Sequence, residues 1–211
     1  MIKAIFWDND GVLVDTERLY FVATQRVLAT VGIELTKEEY IELFLVQGKG
    51  AWHLAEAEGI SPDAIEQLRI DRNMLYGELL SQRPLIINGV REVLQVLHKK
   101  YMMGIVTSSR QDHFTLIHQT ADLLQYFQFV LTASDYTHSK PNPEPYLLAA
   151  ERCGYRKEEC LVIEDSARGL KAAMEAGIRC IVVPNEFTRR SNFAGAYRVV
   201  ENLGSLVKEL S

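Results

Sequence analysis

The sequence predicts an α/β fold: a doubly wound parallel sheet with a small α-helical domain inserted after the first strand. Three observations lead there. Short apolar runs recur along the chain, helical segments separate the later ones, and about seventy residues after the first run show helical spacing with no strand-like run. The runs Ile2–Trp7, Met102–Thr107, Phe129–Thr132, Cys160–Ile163 and Ile178–Val183 have the length of strands buried on both faces.

The elements follow in order. After the first strand, Arg18–Val31, Lys37–Leu45, Ala51–Glu58 and Pro62–Ser81 read as helices, with joints at Gly32, Gly48–Gly50 and Gly59–Pro62. Linkers near Val14–Thr16 and Gln82–Pro84 would carry this block, which gives a helical cap of residues 16–83 on a core of residues 1–15 and 84–211. In Asn88–Lys99, Val90, Val93, Leu94 and Leu97 form one stripe behind an Asn at the N-cap position. Gln111–Leu124, Pro143–Arg152 and Ser166–Ala176 complete the helices, the last opened by Ser and closed by Gly177.

Composition excludes several classes. With 211 residues, 47% apolar and 24% charged, the chain is neither disordered nor fibrous. A chain of this size buries roughly 70% of its unfolded surface, so it needs no disulfide or structural metal. A net charge of −5 gives no footprint for nucleic acid or an acidic membrane. Cys153, Cys160 and Cys180 have no C-x-x-C spacing and read as small core residues. The first ten residues contain two acids and no signal-peptide apolar stretch, and no run approaches a membrane span. The expectation is a soluble, reduced, cytoplasmic protein. Nothing in the sequence fixes its oligomeric state.

Ligands of open parallel sheets bind outside the carboxyl ends of the strands, so the residues that follow each strand are the informative ones. These are Asp8, Asn9, Asp10 and Gly11; then Thr107, Ser108 and Ser109; then Lys140 and Pro141; then Glu164, Asp165 and Ser166. Alone, D-x-D-G is a turn, Thr-Ser-Ser a helix cap, Lys-Pro a solvated loop, and an acidic pair before Ser an N-cap. Together, in this order at four strand ends, they gather carboxylates, hydroxyls and an amine in one crevice.

The segments FWDNDGVLVDTE, GIVTSS, SKPNPEPY and VIEDSARGLKAAMEAG resemble the four motifs of the haloacid dehalogenase-like superfamily, across nearly the whole chain. They are most similar to its phosphoglycolate phosphatase and β-phosphoglucomutase branch, whose helical cap follows motif one. The resemblance implies a Mg²⁺-dependent phosphatase acting on a small phosphorylated metabolite. It implies Asp8 as nucleophile and Asp10 as general acid and base, with Mg²⁺ held by the Asp8 side chain, the Asp10 backbone carbonyl and the Asp165 side chain. Glu164 would support the ion from behind, Thr107 and Ser108 would hold phosphoryl oxygens, and Lys140 would bridge Asp8 and the phosphate. Asn9 occupies the variable position between the acids.

The mutase alternative is weighed at two positions. Tyr20 stands where that branch has His, and the cap loop VQGKGAW lacks an Arg, leaving Lys49 as the nearby cation for substrate. Glu17 and Arg18 would face the crevice or solvent. A non-enzymatic alternative is a phospho-accepting signalling module, since receiver domains also gather acids, a hydroxyl and a Lys at strand ends. Such domains are shorter, however, and carry their acceptor Asp mid-sequence.

Overall fold

The computed structural model describes residues 1–82, 85–119 and 121–210. Its strands are β1 (Ala4–Trp7), β2 (Met102–Val106), β3 (Phe129–Leu131), β4 (Cys160–Glu164), β5 (Arg179–Val182) and β6 (Arg198–Val199). They form one sheet in the order β3-β2-β1-β4-β5-β6 with every neighbouring pair parallel. β1 lies centrally, with Trp7 level with Ile105 of β2 and Ile163 of β4. The strand order reverses between β1 and β4, where an open α/β sheet leaves a crevice at its carboxyl edge.

Both faces of the sheet are covered. One buries Ile5, Trp7, Met103, Ile105 and Ile163 under α5 (Val90–Leu97), α6 (Gln111–His118) and α9 (Leu203–Leu210). The other buries Ala4, Phe6, Val162 and Cys180 against α7 (Glu144–Cys153) and α8 (Ala167–Glu175). The alternating sides follow from the strand's period of two, and burial of both sides explains the unbroken apolar runs.

Between β1 and α5 lie α1 (Glu17–Ala29), α2 (Lys37–Tyr40), a π-helical turn Ile41–Val46, α3 (Trp52–Ala57) and α4 (Pro62–Leu80). Thr36 and Glu39 form a reciprocal cap on α2, and Ser61 with Pro62 starts α4. These helices enclose a cluster of their own, including Leu28, Leu35, Tyr40, Trp52, Ala55 and Ile65. Phe187, from the segment between β5 and β6, packs into it.

Several boundaries differ from the sequence reading. Gly89, at φ +85°, takes the N-cap position of α5 that Asn88 was expected to hold. The helix expected over Gln111–Leu124 stops at His118. The linker expected at Gln82–Pro84 falls partly on Arg83 and Pro84, outside the described residues. Gly177, at φ +74°, ends α8 as expected. Cys153, Cys160 and Cys180 are free. Among the described residues no helix is long and apolar enough to cross a membrane.

Candidate active site

β1 runs straight into the site. The Asp8 N–H donates to the Ile163 carbonyl at 2.9 Å, which continues the ladder by one residue. The chain then turns back: Leu13 and Val14 N–H donate to the Asn9 carbonyl, and Gly11 sits at φ +84°. A side chain on Gly11 would strike the Asp165 Oδ2 at 2.3 Å, so only Gly lets the backbone pass under that carboxylate.

Lys140 is the electrostatic centre. Its Nζ donates to Asp8 Oδ1 at 2.7 Å, to Glu164 Oε1 at 2.7 Å and to the Val106 carbonyl at 2.9 Å, all buried. Burial alone would discharge it, but Asp8 and Glu164 outweigh that effect and hold the ammonium pKa above its usual range. The Tyr146 hydroxyl donates to Glu164 Oε1 at 2.7 Å, while Ser166 N and Oγ and the Asp165 N–H donate to Oε2. Burial opposes the Glu164 charge too, yet Lys140 and these donors keep its pKa low.

Asp8, Glu164 and Asp165 each bring a carboxylate oxygen within 4.8 Å of the others, and all three residues are buried. Lys140 does not balance them. Burial, then the Glu164 charge, pushes the Asp8 carboxyl up to about 8 despite Lys140. Burial, then Glu164 and Asp8, raises Asp165 well above the carboxylate range. A desolvated all-oxygen cluster with excess negative charge suits a hard divalent cation. Asn185, which the sequence reading missed, donates from Nδ2 to Asp165 Oδ2 at 2.6 Å and fixes that carboxylate.

Asp10 stands beside this cluster among hydroxyls. Thr16 Oγ1 donates to its Oδ1 at 2.5 Å, and Thr107 Oγ1 and Ser109 Oγ donate to its Oδ2 at 3.0 and 2.6 Å. Thr107 is fully buried and also accepts from the Ser109 N–H. Its hydroxyl is therefore engaged with Asp10, whereas Ser108 and Ser109 line the open space.

That space is a crevice of about 450 Å³ between the strand ends and the helical block. The strand ends contribute Asp8, Asp10, Ser108, Lys140 and Asp165, and the helices contribute Glu17, Tyr20, Tyr40, Arg69 and Arg72. Lys49 is exposed and borders a smaller depression with Gln47, Trp52, His53, Glu56 and Arg69. Cationic groups from the helices thus enter the crevice from α4, where the sequence reading had looked to the loop at Lys49 and to Arg18, which is exposed and does not line the crevice. Arg72 is 7% exposed, stacked over Tyr20 and Trp52, with Nε on Asn73 Oδ1 and no carboxylate partner among the described residues.

The sequence matches the haloacid dehalogenase-like hydrolase family over residues 5–183. The chain belongs to that family. As a haloacid dehalogenase-like hydrolase it is 34% identical to a phosphorylated carbohydrates phosphatase of Thermotoga maritima, over 85% of this chain and 84% of that protein. It is 28% identical to the fructose-1-phosphate phosphatase YqaB of Escherichia coli, over 85% of this chain and 95% of the relative. In structure it is similar to CbbY from Rhodobacter sphaeroides, crystallised as a variant with xylulose-1,5-bisphosphate. The TM-score is 0.82 at 25% identity, covering 98% and 96% of the two chains. Relatives named phosphoglycolate phosphatase are consistent with the branch of the family expected from the motifs.

Proposed function

We propose that this hydrolase is a Mg²⁺-dependent phosphatase of a small phosphorylated metabolite, with phosphorylated sugars the favoured class, acting through an aspartyl-phosphate on Asp8. In this reading residues 16–83 are a cap over a catalytic core of residues 1–15 and 84–211. The observation that carries it is the arrangement of Asp8 and Asp10. Lys140 fixes Asp8 through Oδ1, Oδ2 accepts no hydrogen bond among the described residues, and Asp10 lines the same crevice.

Asp8 Oδ2 attacks phosphorus, the bond from phosphorus to the leaving oxygen breaks, and Asp10 gives its proton to that oxygen. Asp10 then takes a proton from a water molecule that attacks the phosphoryl group, releasing phosphate and restoring Asp8. Lys140 keeps Asp8 oriented, and the Ser108 segment with Lys140 faces the transferring oxygens. The Asp8 and Asp165 side chains and the Asp10 carbonyl would hold Mg²⁺, and the Asn185 amide keeps Asp165 aimed. Glu164 has both oxygens committed to Lys140, Tyr146 and the Ser166 turn, which supports a role behind the ion. When bound, the ion supplies positive charge against the three carboxylates and the phosphoryl oxygens.

A second reading concerns the rest of the substrate. Arg72, buried with no carboxylate partner among the described residues, favours a substrate with a second anionic group, carboxylate or phosphate, since a buried guanidinium without a counter-charge is costly. Turnover across a panel of phosphorylated sugars, sugar bisphosphates and phosphoglycolate, with and without Mg²⁺, tests both readings. Phosphate release that requires Mg²⁺ is expected; a folded protein inert on every ester, or equally active in EDTA, overturns the first.

A further inference from the structure

Asn9 lies between the nucleophile and the acid of the proposed reaction, and its side chain is completely buried. Its Nδ2 donates to Asp10 Oδ2 at 3.3 Å, and its Oδ1 accepts from His118 Nε2 at 2.8 Å. His118 is in the last turn of α6, 7% exposed, its ring centroid 4.3 Å from that of Phe114. The polarity of this chain is fixed from one end. An ionised carboxylate only accepts, so the amide must present its NH₂ to Asp10. Its carbonyl oxygen then faces the imidazole, so Nε2 must carry hydrogen. Burial pushes the His118 pKa down to about 4, against the pull of Asp10, so near neutral pH the ring has one proton, and it sits on Nε2. Nδ1 is then bare, and it is buried with no hydrogen-bond partner among the described residues. The hydrogen bonding of this ring is therefore directed to Asn9.

We infer that Asn9, oriented by His118, positions the Asp10 carboxyl for proton transfer to the leaving oxygen, a role that rests on the assignment of Asp10 above. The other contacts to Asp10 are hydroxyls of Thr16, Thr107 and Ser109, which can turn from donor to acceptor when Asp10 gains a proton. The amide cannot. It keeps Oδ2 an acceptor in both protonation states and leaves Oδ1 to carry the transferable proton. The position between the two acids, which the sequence reading passed over as variable, thereby acquires a function through a helix more than a hundred residues away.

The test compares kcat/KM for fructose 1-phosphate or phosphoglycolate, whose alkoxide must be protonated, with p-nitrophenyl phosphate, whose phenolate leaves without help. kcat/KM reports the phosphoryl-transfer step, so the shared hydrolysis of the intermediate does not enter. Asn9→Leu and His118→Phe are expected to lower the alkyl-to-aryl ratio by roughly tenfold, part of the 10²–10⁴ that general acid catalysis contributes. His118→Gln, which can still donate to Asn9, is expected to keep the ratio within about twofold of the parent, and the Asn9→Leu/His118→Phe double variant to lose no more than either single one. Equal losses on both substrates, additive losses in the double variant, or a ratio that falls in His118→Gln as in His118→Phe would each show mere packing and overturn the inference. Melting curves identify any variant that fails to fold; the remaining ones then decide. Asp10→Asn is the internal check: if it leaves the ratio unchanged, the assignment of Asp10 has failed, independently of Asn9.

Discussion

Glu164 and Gly169 share one space: a methyl group on Gly169 would stand 1.9 Å from Glu164 Oε1. The first turn of α8 therefore needs glycine so that the Glu164 carboxylate can fold beneath it and reach Lys140, Tyr146 and Ser166. Gly169→Ala should displace that carboxylate from its buried cation. The expected cost is about 3 kcal/mol or more, read from denaturant unfolding, with turnover lost as Lys140 is released. Gly77→Ala is the contrast. It lies in helical backbone of α4 with only Leu116 Cδ1 at 3.6 Å, so it should stabilise by about 0.5–1 kcal/mol.

Glu17 gives a pH-dependent prediction. It accepts a hydrogen bond from Tyr40, and burial raises its carboxyl from 4.5 to about 7 against that bond. The folded state therefore binds more protons than the unfolded state between these values, and stability falls as pH rises through them. Below 4.5 there is no penalty; above 7 it is complete. Glu17→Gln keeps the acceptor for Tyr40 and removes the charge. It should melt like the parent near pH 4 and be more stable by about 2 kcal/mol at pH 8, the shift being discounted for partial exposure. Identical differences at both pH values would show that Glu17 is charged or solvated in the fold.

Arg72 should govern selection rather than chemistry. Arg72→Met retains packing on Tyr20 and Trp52 but removes the cation. KM for substrates with a second anionic group is expected to rise about tenfold or more, near the 1.5–3 kcal/mol of a charged hydrogen bond. Phosphate esters with neutral leaving groups should change little. A uniform rise across both classes would place Arg72 at the transferring phosphoryl group.

The elevated pKa values of Asp8 and Asp165 predict proton release on metal binding. Both carboxyls must be ionised to hold the ion, so Mg²⁺ titrated into metal-free protein near pH 7 should release protons. Calorimetry in buffers of different ionisation enthalpy measures this directly. The share from Asp8 should shrink as pH rises above 8, and a pH-independent value of zero would mean that the cluster is already charged without the ion.

The four strand-end motifs were legible because each joins an apolar run to residue types unusual at its end. Asp8, Asp10, Lys140 and Asp165 fall where the parallel sheet was expected to present them. Arg69 and Arg72 were not legible: on a long polar helix, arginines look like a solvated face, and only the packing of α4 turns them into the crevice. Thr107 was expected to hold phosphoryl oxygens, and its hydroxyl donates to Asp10, a contact across ninety-seven residues that no local pattern encodes. Asn185 and His118 act through contacts twenty and one hundred and nine residues away, which no local pattern encodes. β6 has only two residues, both exposed, so no apolar run announced it.

The central claim is that Asp8 is the residue that becomes phosphorylated. The most direct measurement is intact-protein and peptide mass spectrometry of Asp10→Asn, mixed with Mg²⁺ and p-nitrophenyl phosphate, whose phenolate leaves without an acid, then quenched in acid. Without the base that activates water, the intermediate should linger, adding the mass of one phosphoryl group to the peptide that carries Asp8. The same folded variant bearing no such adduct, or bearing it on any other residue, would contradict the account.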